Sequence, residues 1–196
     1  MSATAIKTDF NKRLNQILPR LTSPELLTNT GLGNEIGFYI FDYPAESELL
    51  VREHVAHIMS QLAKKHSDIK VKQVNLFELI IDYLKARKLL DKALKIEAEK
   101  GEQELLKALK APLHEEKLAE WFGQTVQPQN FDLILMTGVG SAYPLIRSHG
   151  LLNNLPRIMG RVPLVVFYPG KYDMQSLRLF DRLNDSNYYR AFRLVP

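Results

Sequence analysis

Phe131-Asp132-Leu133-Ile134-Leu135-Met136 runs straight into Thr137-Gly138-Val139-Gly140, and Pro163-Leu164-Val165-Val166-Phe167-Tyr168 runs into Pro169-Gly170-Lys171. Neither stretch alternates apolar with polar residues. A near-continuous apolar run is the mark of a strand covered on both faces, as in a parallel sheet flanked by helices. In open α/β sheets the loops leaving the carboxyl ends of such strands carry the ligand or partner contacts. The two glycine corners are therefore the first place to seek function.

Working outward, Gly37-Phe38-Tyr39-Ile40-Phe41-Asp42 reads as the first strand, ended by Pro44. Between Glu46 and His66 the stripe Val51, Val55, Ile58, Met59 and Leu62 marks a helix that packs on the sheet. Ile69 to Val74 is a weaker second strand, and Asn75-x-x-Glu78 resembles a capping box opening the next helix. The βαβα order predicts right-handed parallel crossovers. Ahead of the first strand, Phe10, Leu14, Ile17 and Leu18 recur at helical spacing, with Pro19 expected to close that helix and Ser23-Pro24-Glu25 to open a short second one. Beyond the glycine corners, Tyr143 to Leu155 and Asp173 to Leu183 read as helices. Tyr188 to Leu194 reads as a strand at the sheet edge.

The stretch from Lys85 to Gln127 differs in character, being rich in Lys, Glu, Leu and Ala, with Gly101 and Pro112 dividing it into helices. Trp121 and Phe122 are its large aromatic anchors, so it reads as a helical insertion, 85–127, docked by its end within a single α/β domain, 1–196. Its charges form a solvated face. The fold class is α/β: a mostly parallel sheet of about five strands flanked by helices, Rossmann-like or a degenerate P-loop-like form.

The composition is that of a folded soluble domain: 196 residues, 45% apolar, 24% charged, with a net charge of +4. The absence of cysteine excludes disulfides, thiolate ligands and a cysteine nucleophile, and fits a reducing cytoplasm. Lys7, Asp9, Lys12 and Arg13 interrupt the first segment, which therefore lacks the apolar core of a signal peptide. No apolar run approaches the ~20 residues that span a bilayer. A soluble cytoplasmic protein without a membrane partner is expected.

Thr137-Gly138-Val139-Gly140-Ser141 follows a strand and precedes a helix, a setting in which backbone N–H groups can hold an anion. The same glycines also simply permit a tight turn. The Walker pattern G-x-x-x-x-G-K-[ST] is absent, and Gly31-x-Gly33 precedes its strand, the wrong side for a dinucleotide fingerprint. Asp132 opens its strand, whereas a magnesium-binding acid belongs at the carboxyl end. Glu53-His54-x-x-His57 lacks the H-E-x-x-H arrangement of zincins, and no third ligand accompanies it. Ser141 or Ser148 with His149 lacks a G-x-S-x-G elbow.

What these corners do offer is a polar surface: Gly138, Gly140, Ser141, Arg147 and His149 after the first, Lys171, Tyr172 and Asp173 after the second. Tyr188-Tyr189-Arg190-Ala191-Phe192-Arg193 adds aromatics interleaved with arginines, a pattern shared by nucleic-acid stacking surfaces and by edge strands with one side packed. An edge can accept a partner's strand. Tyr189 and Arg193 therefore join the candidate contacts for a partner or an anion.

Gly31-Leu-Gly-Asn-Glu35, Phe38-Tyr-Ile-Phe-Asp42 with Val51-Arg-Glu-His54, Thr137-Gly-Val-Gly140 with Arg147-Ser-His149, Phe167-Tyr-Pro-Gly170 through Tyr172-Asp173 and Ser176-Leu-Arg-Leu179, and Asn187-Tyr-Tyr-Arg-Ala-Phe192 together resemble the BrxB family of BREX bacteriophage-exclusion systems. These blocks span most of the chain from Gly31 onward. The resemblance implies a non-enzymatic adaptor in an assembly that protects host DNA by methylation. It implies a PglZ-like protein as direct contact, a methyltransferase and an ATPase as further subunits, DNA touched through the assembly, and no cofactor. It carries over no catalytic residue. The alternative is a nucleotide- or phosphate-binding sensor or enzyme using the same crevice.

Overall fold

The computed structural model describes residues 3–29, 37–185 and 191–196. Helix α1 (Ala3–Leu21) and the single turn α2 (Pro24–Leu27) precede β1 (Phe38–Tyr43), α3 (Glu48–Lys65), β2 (Val71–Asn75) and α4 (Leu76–Ala86). Three further helices, α5 (Leu90–Lys100), α6 (Glu102–Leu109) and α7 (Glu115–Val126), lead to β3 (Leu133–Thr137). The short helices α8 (Val139–Ala142), α9 (Ser148–Asn154) and α10 (Pro156–Met159) connect it to β4 (Leu164–Tyr172). Strands β5 (Leu177–Leu179) and β6 (Leu183–Asp185) follow, and β7 (Phe192–Arg193) lies near the end of the chain.

Among the described residues five strands form a parallel sheet in the order β2-β3-β4-β1-β7, and β5 and β6 extend β4 as an antiparallel flap. The fold is thus α/β with a mostly parallel sheet, as the apolar runs predict. Alternate residues feed two cores. Phe38, Ile40, Ile134, Met136, Leu164, Val166 and Tyr168 face α4, α7 and the short helices. Tyr39, Phe41, Leu133, Leu135, Val165 and Phe167 face α1 and α3. The chain leaves β1 through α3 to reach β2 at the far edge, then steps back through β3 to β4. Right-handed crossovers running in opposite directions must use opposite faces, which is why the helices divide this way.

Several local expectations change. Pro19 does not close α1, which continues to Leu21 and buries that side chain in the α1–α3 core. Tyr143 to Leu155 is not one helix, because α8 stops after one turn at Tyr143, extended before Pro144 (φ −77°, ψ 138°). Asp173 to Leu183 is not helical. Asp173 Oδ1 accepts from the N–H groups of Gln175 (3.1 Å) and Ser176 (2.7 Å), a tight turn that folds the chain back. Leu177 and Leu179 are buried and Arg178 is half-exposed, a strand alternation hidden in a run too short to show its period. The second glycine corner is likewise no strand end, since β4 runs through Pro169 and Gly170 to pair with β5. A Cβ at Gly170 would collide with the carbonyl of Arg178, so only glycine allows this approach.

In the 85–127 stretch, Gly101 separates α5 from α6 and Pro112 lies between α6 and α7. Phe122 is fully buried, and Trp121 meets Tyr83 of α4 edge-on at 5.8 Å. At the far edge, Phe192 pairs with Tyr39 in parallel, where an edge strand is expected; residues 188–190 of that stretch lie outside those described.

Candidate functional site

The carboxyl ends of the strands form one rim, built by side chains from each exit loop. Asn75 ends β2 and caps α4, its Oδ1 accepting from the N–H groups of Phe77 (3.0 Å) and Glu78 (3.4 Å) while its amide donates to Glu78 Oε1 (3.1 Å). The same Oδ1 lies where a Cβ of Gly138 would be, and Gly138 is left-handed (φ 72°). Glycine at 138 thus meets both a backbone and a space requirement. A Cβ at Gly140 would come within 2.9 Å of Pro169 Cγ and 3.1 Å of Phe180 Cε1. Tyr143 then meets Phe180 edge-on at 6.1 Å. The β3 exit and the end of β4 therefore touch.

The exit of β1 joins them from the other side. Tyr43 donates its hydroxyl to Glu48 Oε2 (2.6 Å), and Arg52 donates from Nε to Glu48 Oε1 (2.7 Å) and from Nη2 to Ser141 Oγ (3.1 Å). Burial, and secondly the Glu48 carboxylate, push the Tyr43 phenol far above its ordinary value, so it stays a neutral donor.

Behind this rim lies an ionic cluster. Arg13 of α1 donates to Asp42 Oδ1 (2.7 Å) and to the Asp42 carbonyl (3.1 Å), with its guanidinium over the Phe41 ring at 5.0 Å. Asp42 Oδ2 accepts the Tyr172 N–H at 3.0 Å. Arg193 Nε stands 3.9 Å from Asp42 Oδ1, and Arg193 Nη2 donates to the Tyr172 carbonyl. The Tyr172 hydroxyl donates to the Ala191 carbonyl at 2.6 Å. A single carboxylate thus ties α1, β1, the end of β4 and β7 together.

Of the sequence candidates, Gly138, Gly140 and Ser141 lie on the rim. Lys171 and Asp173 are exposed on the flap. Hydrogen bonds to Asp173 from Ser176 (N–H and hydroxyl) and then Gln175 lower its carboxyl to about 2, with Arg178 at 3.5 Å adding to the effect. Tyr172 is not a surface contact: it is fully buried, because its hydroxyl has a main-chain acceptor inside the core. Arg193 is half-buried and engaged in the Asp42 cluster. Arg147 is exposed at the start of α9, whose Gly150 abuts Glu115 of α7, so this segment leans on the helical layer. The side chain of His149 and all of Tyr189 lie outside the described residues, as do Gly31 to Glu35.

Sequence reasoning passes over Asp42, Arg13, Glu48 and Arg52. The available signal was Asp42 itself, a lone carboxylate at the carboxyl end of an otherwise apolar strand, where burial demands a cationic partner. The rings of His54 and His57 are 6.4 Å apart, and His54 Nε2 is 2.9 Å from the Leu14 carbonyl, an acceptor only, so that nitrogen carries the proton. Burial holds His54 below its ordinary value. Among the described residues no three His, Asp or Glu side chains converge as a metal site, and no helix is long and apolar enough to cross a membrane.

Six large hydrophobic side chains stand exposed among the described residues: Leu49, Leu50, Leu94, Tyr143, Met174 and Leu183. Leu49, Leu50, Tyr143 and Met174 lie on segments leaving the carboxyl ends of β1, β3 and β4, and Leu183 lies in β6 of the flap that extends β4. Leu49 is 72% exposed one residue beyond Glu48. The rim therefore sets exposed apolar side chains among Arg52, Lys171 and Arg178, the mixture found where proteins meet proteins.

A family model described as "BREX protein BrxB" matches residues 72–194. A "BREX protein BrxB" of Bacillus cereus (strain H3081.97) is 42% identical over 190 residues, covering 95% of this chain and 97% of the relative. One of Escherichia coli O9:H4 (strain HS) is 43% identical over 184 residues, covering 94% and 90%. No solved structure matches the chain. Coverage of nearly the whole length on both sides, at this identity, takes in both the sheet and its rim, and the chain belongs to the BrxB family of BREX proteins.

Proposed function

We propose that this chain is a non-enzymatic adaptor of a BREX phage-exclusion system, seating a PglZ-like protein on the carboxyl rim and so supporting host DNA methylation and phage exclusion. Membership of the BrxB family ties it to BREX systems, and the other subunits, a methyltransferase and an ATPase, are separate chains that bring it to DNA indirectly. The carrying observation is the grouping of Leu49, Leu50, Tyr143, Met174 and Leu183 on that rim, while Leu94 is exposed elsewhere. An exposed apolar group bordered by cations offers a partner both a water-excluding centre and a charged margin. The glycine turn supports the same reading: Asn75 fills the space beside Gly138, and α8 ends after one turn.

Co-purification with a PglZ-like protein tests it. The wild-type chain is expected to co-elute at micromolar concentration, and the pair Leu49→Glu with Met174→Glu, both exposed, to abolish co-elution while the melting temperature is kept. Absence of a complex between two folded wild-type proteins would sink direct partnership. A melting shift with ATP or GTP would instead favour a nucleotide sensor, because a ligand selective for the folded state stabilises it.

A further inference from the structure

We propose that the outer edge of β7, with the groove between it and α1, receives an extended acidic segment of a partner protein as an added strand. This rests on the adaptor reading and adds the chemistry of a second contact, away from the apolar rim.

The backbone register supplies the first argument. Ile40 pairs with Arg193 in parallel, and the Leu194 N–H donates to the Ile40 carbonyl at 2.8 Å. In a parallel ladder this pattern turns the N–H and C=O of Arg193 itself away from β1, toward the outer edge. Among the described residues no strand pairs with that edge. Beside it lies a groove of about 520 Å³ walled by Gln16, Pro19, Arg20 and Ser23 on one side and by Leu194 and Pro196 on the other. Exposed edges of this kind accept strands by main-chain hydrogen bonding, with pockets reading alternate side chains.

Charge selects the occupant. Among the described residues Arg13 and Arg193 converge on one carboxylate, that of Asp42, so two guanidinium groups share one counter-charge in this partly buried cluster. Arg20 lines the groove, and its carboxylate partner among the described residues, Glu25, is itself 72% exposed in its side chain, a weak pair that an incoming acid can displace. A second copy of this chain suits the edge poorly, because antiparallel pairing about Arg193 would set two arginines side by side.

Fluorescence anisotropy of the purified chain with a labelled hexapeptide of alternating Thr and Glu provides the test. Saturable binding is expected, about tenfold or more tighter than for the same peptide with Lys in place of Glu, and lost when alternate peptide amides are N-methylated. Arg20→Glu, a change on the groove wall outside the Asp42 cluster, is expected to reverse the Glu-over-Lys preference. Hydrogen exchange at the Arg193 amide is expected to slow when the peptide is bound. Equal affinity for the two peptides, indifference to N-methylation, or no binding up to about 1 mM overturns the proposal. So does self-association of the free chain that protects the Arg193 amide. Failure here with co-elution through the rim intact sinks this proposal alone; loss of co-elution with peptide binding intact sinks the identity of the rim's partner.

Discussion

Asp42 reaches past the end of its own strand to hold the N–H of Tyr172 at 3.0 Å, although its register partner in β4 is Tyr168. The carboxylate thus supplies an acceptor where β1 has ended and β4 turns away to pair with β5. It also faces Arg13 with a side-chain exposure of only 11%. Asp42→Asn keeps the volume and an acceptor but leaves two guanidinium groups without a counter-charge. The expected loss is about 3 kcal/mol of unfolding free energy in a urea titration, because a buried pair broken on one side leaves an uncompensated ion. A loss below about 1 kcal/mol would mean that the cluster behaves as a solvated surface pair.

Gly138 and Asn75 form a second coupled pair. Gly138→Ala brings a Cβ into a left-handed backbone and against Asn75 Oδ1, with an expected cost of about 1–3 kcal/mol. Asn75→Ala removes the α4 cap and is expected to cost about 1 kcal/mol. Because the second change also clears the space the first one needs, the double variant is expected to lose less than the sum. Strict additivity in a double-mutant cycle would show that the contact does not limit position 138.

Arg52 provides a contrast within the same rim. Its bonds to Glu48 and Ser141 are short, yet its side chain is 53% exposed. Solvent screening reduces such a pair to about 0–1 kcal/mol, so Arg52→Ala is expected to leave the melting temperature almost unchanged. A large drop would identify Arg52 as a structural strut.

Acid titration reads the flap. The folded Asp173 carboxyl is lowered to about 2 from 3.8, so the folded state binds this proton less readily than the unfolded chain does. Its contribution is therefore complete above 3.8 and fades as the pH falls through about 2. Carboxyl-carbon NMR is expected to show the low midpoint, and Ser176→Ala to raise it by removing the hydroxyl donor. A midpoint near 3.8 in the wild-type chain would mean that the turn opens in solution.

Much of the fold was legible in the chain because apolar periodicity is a local record of burial. The runs at Leu133 to Met136 and Leu164 to Tyr168 marked doubly covered strands. Asn75-x-x-Glu78 marked a helix start, and the Val51, Val55, Ile58 and Leu62 stripe marked the face of α3. The flap was missed because its strands are three residues each, too few for a period, and because Gly170 allows a strand to continue through a corner that reads as its end. Of the candidate site, the corner at Gly138 and Gly140 is legible, whereas Gly170 lies within β4 and Tyr172 is buried by contacts remote in sequence.

Sequence alone determined the parallel α/β class, the glycine corner after β3 and the family resemblance, since each depends on residue types at short and fixed spacing. Tertiary structure decided that Gly140 meets Pro169, that Arg52 reaches Ser141 across 89 residues of chain, and that Arg13, Asp42, Tyr172 and Arg193 share one cluster. These contacts join residues remote in sequence, and their partners are chosen by the order in which the strands assemble, which no local pattern encodes.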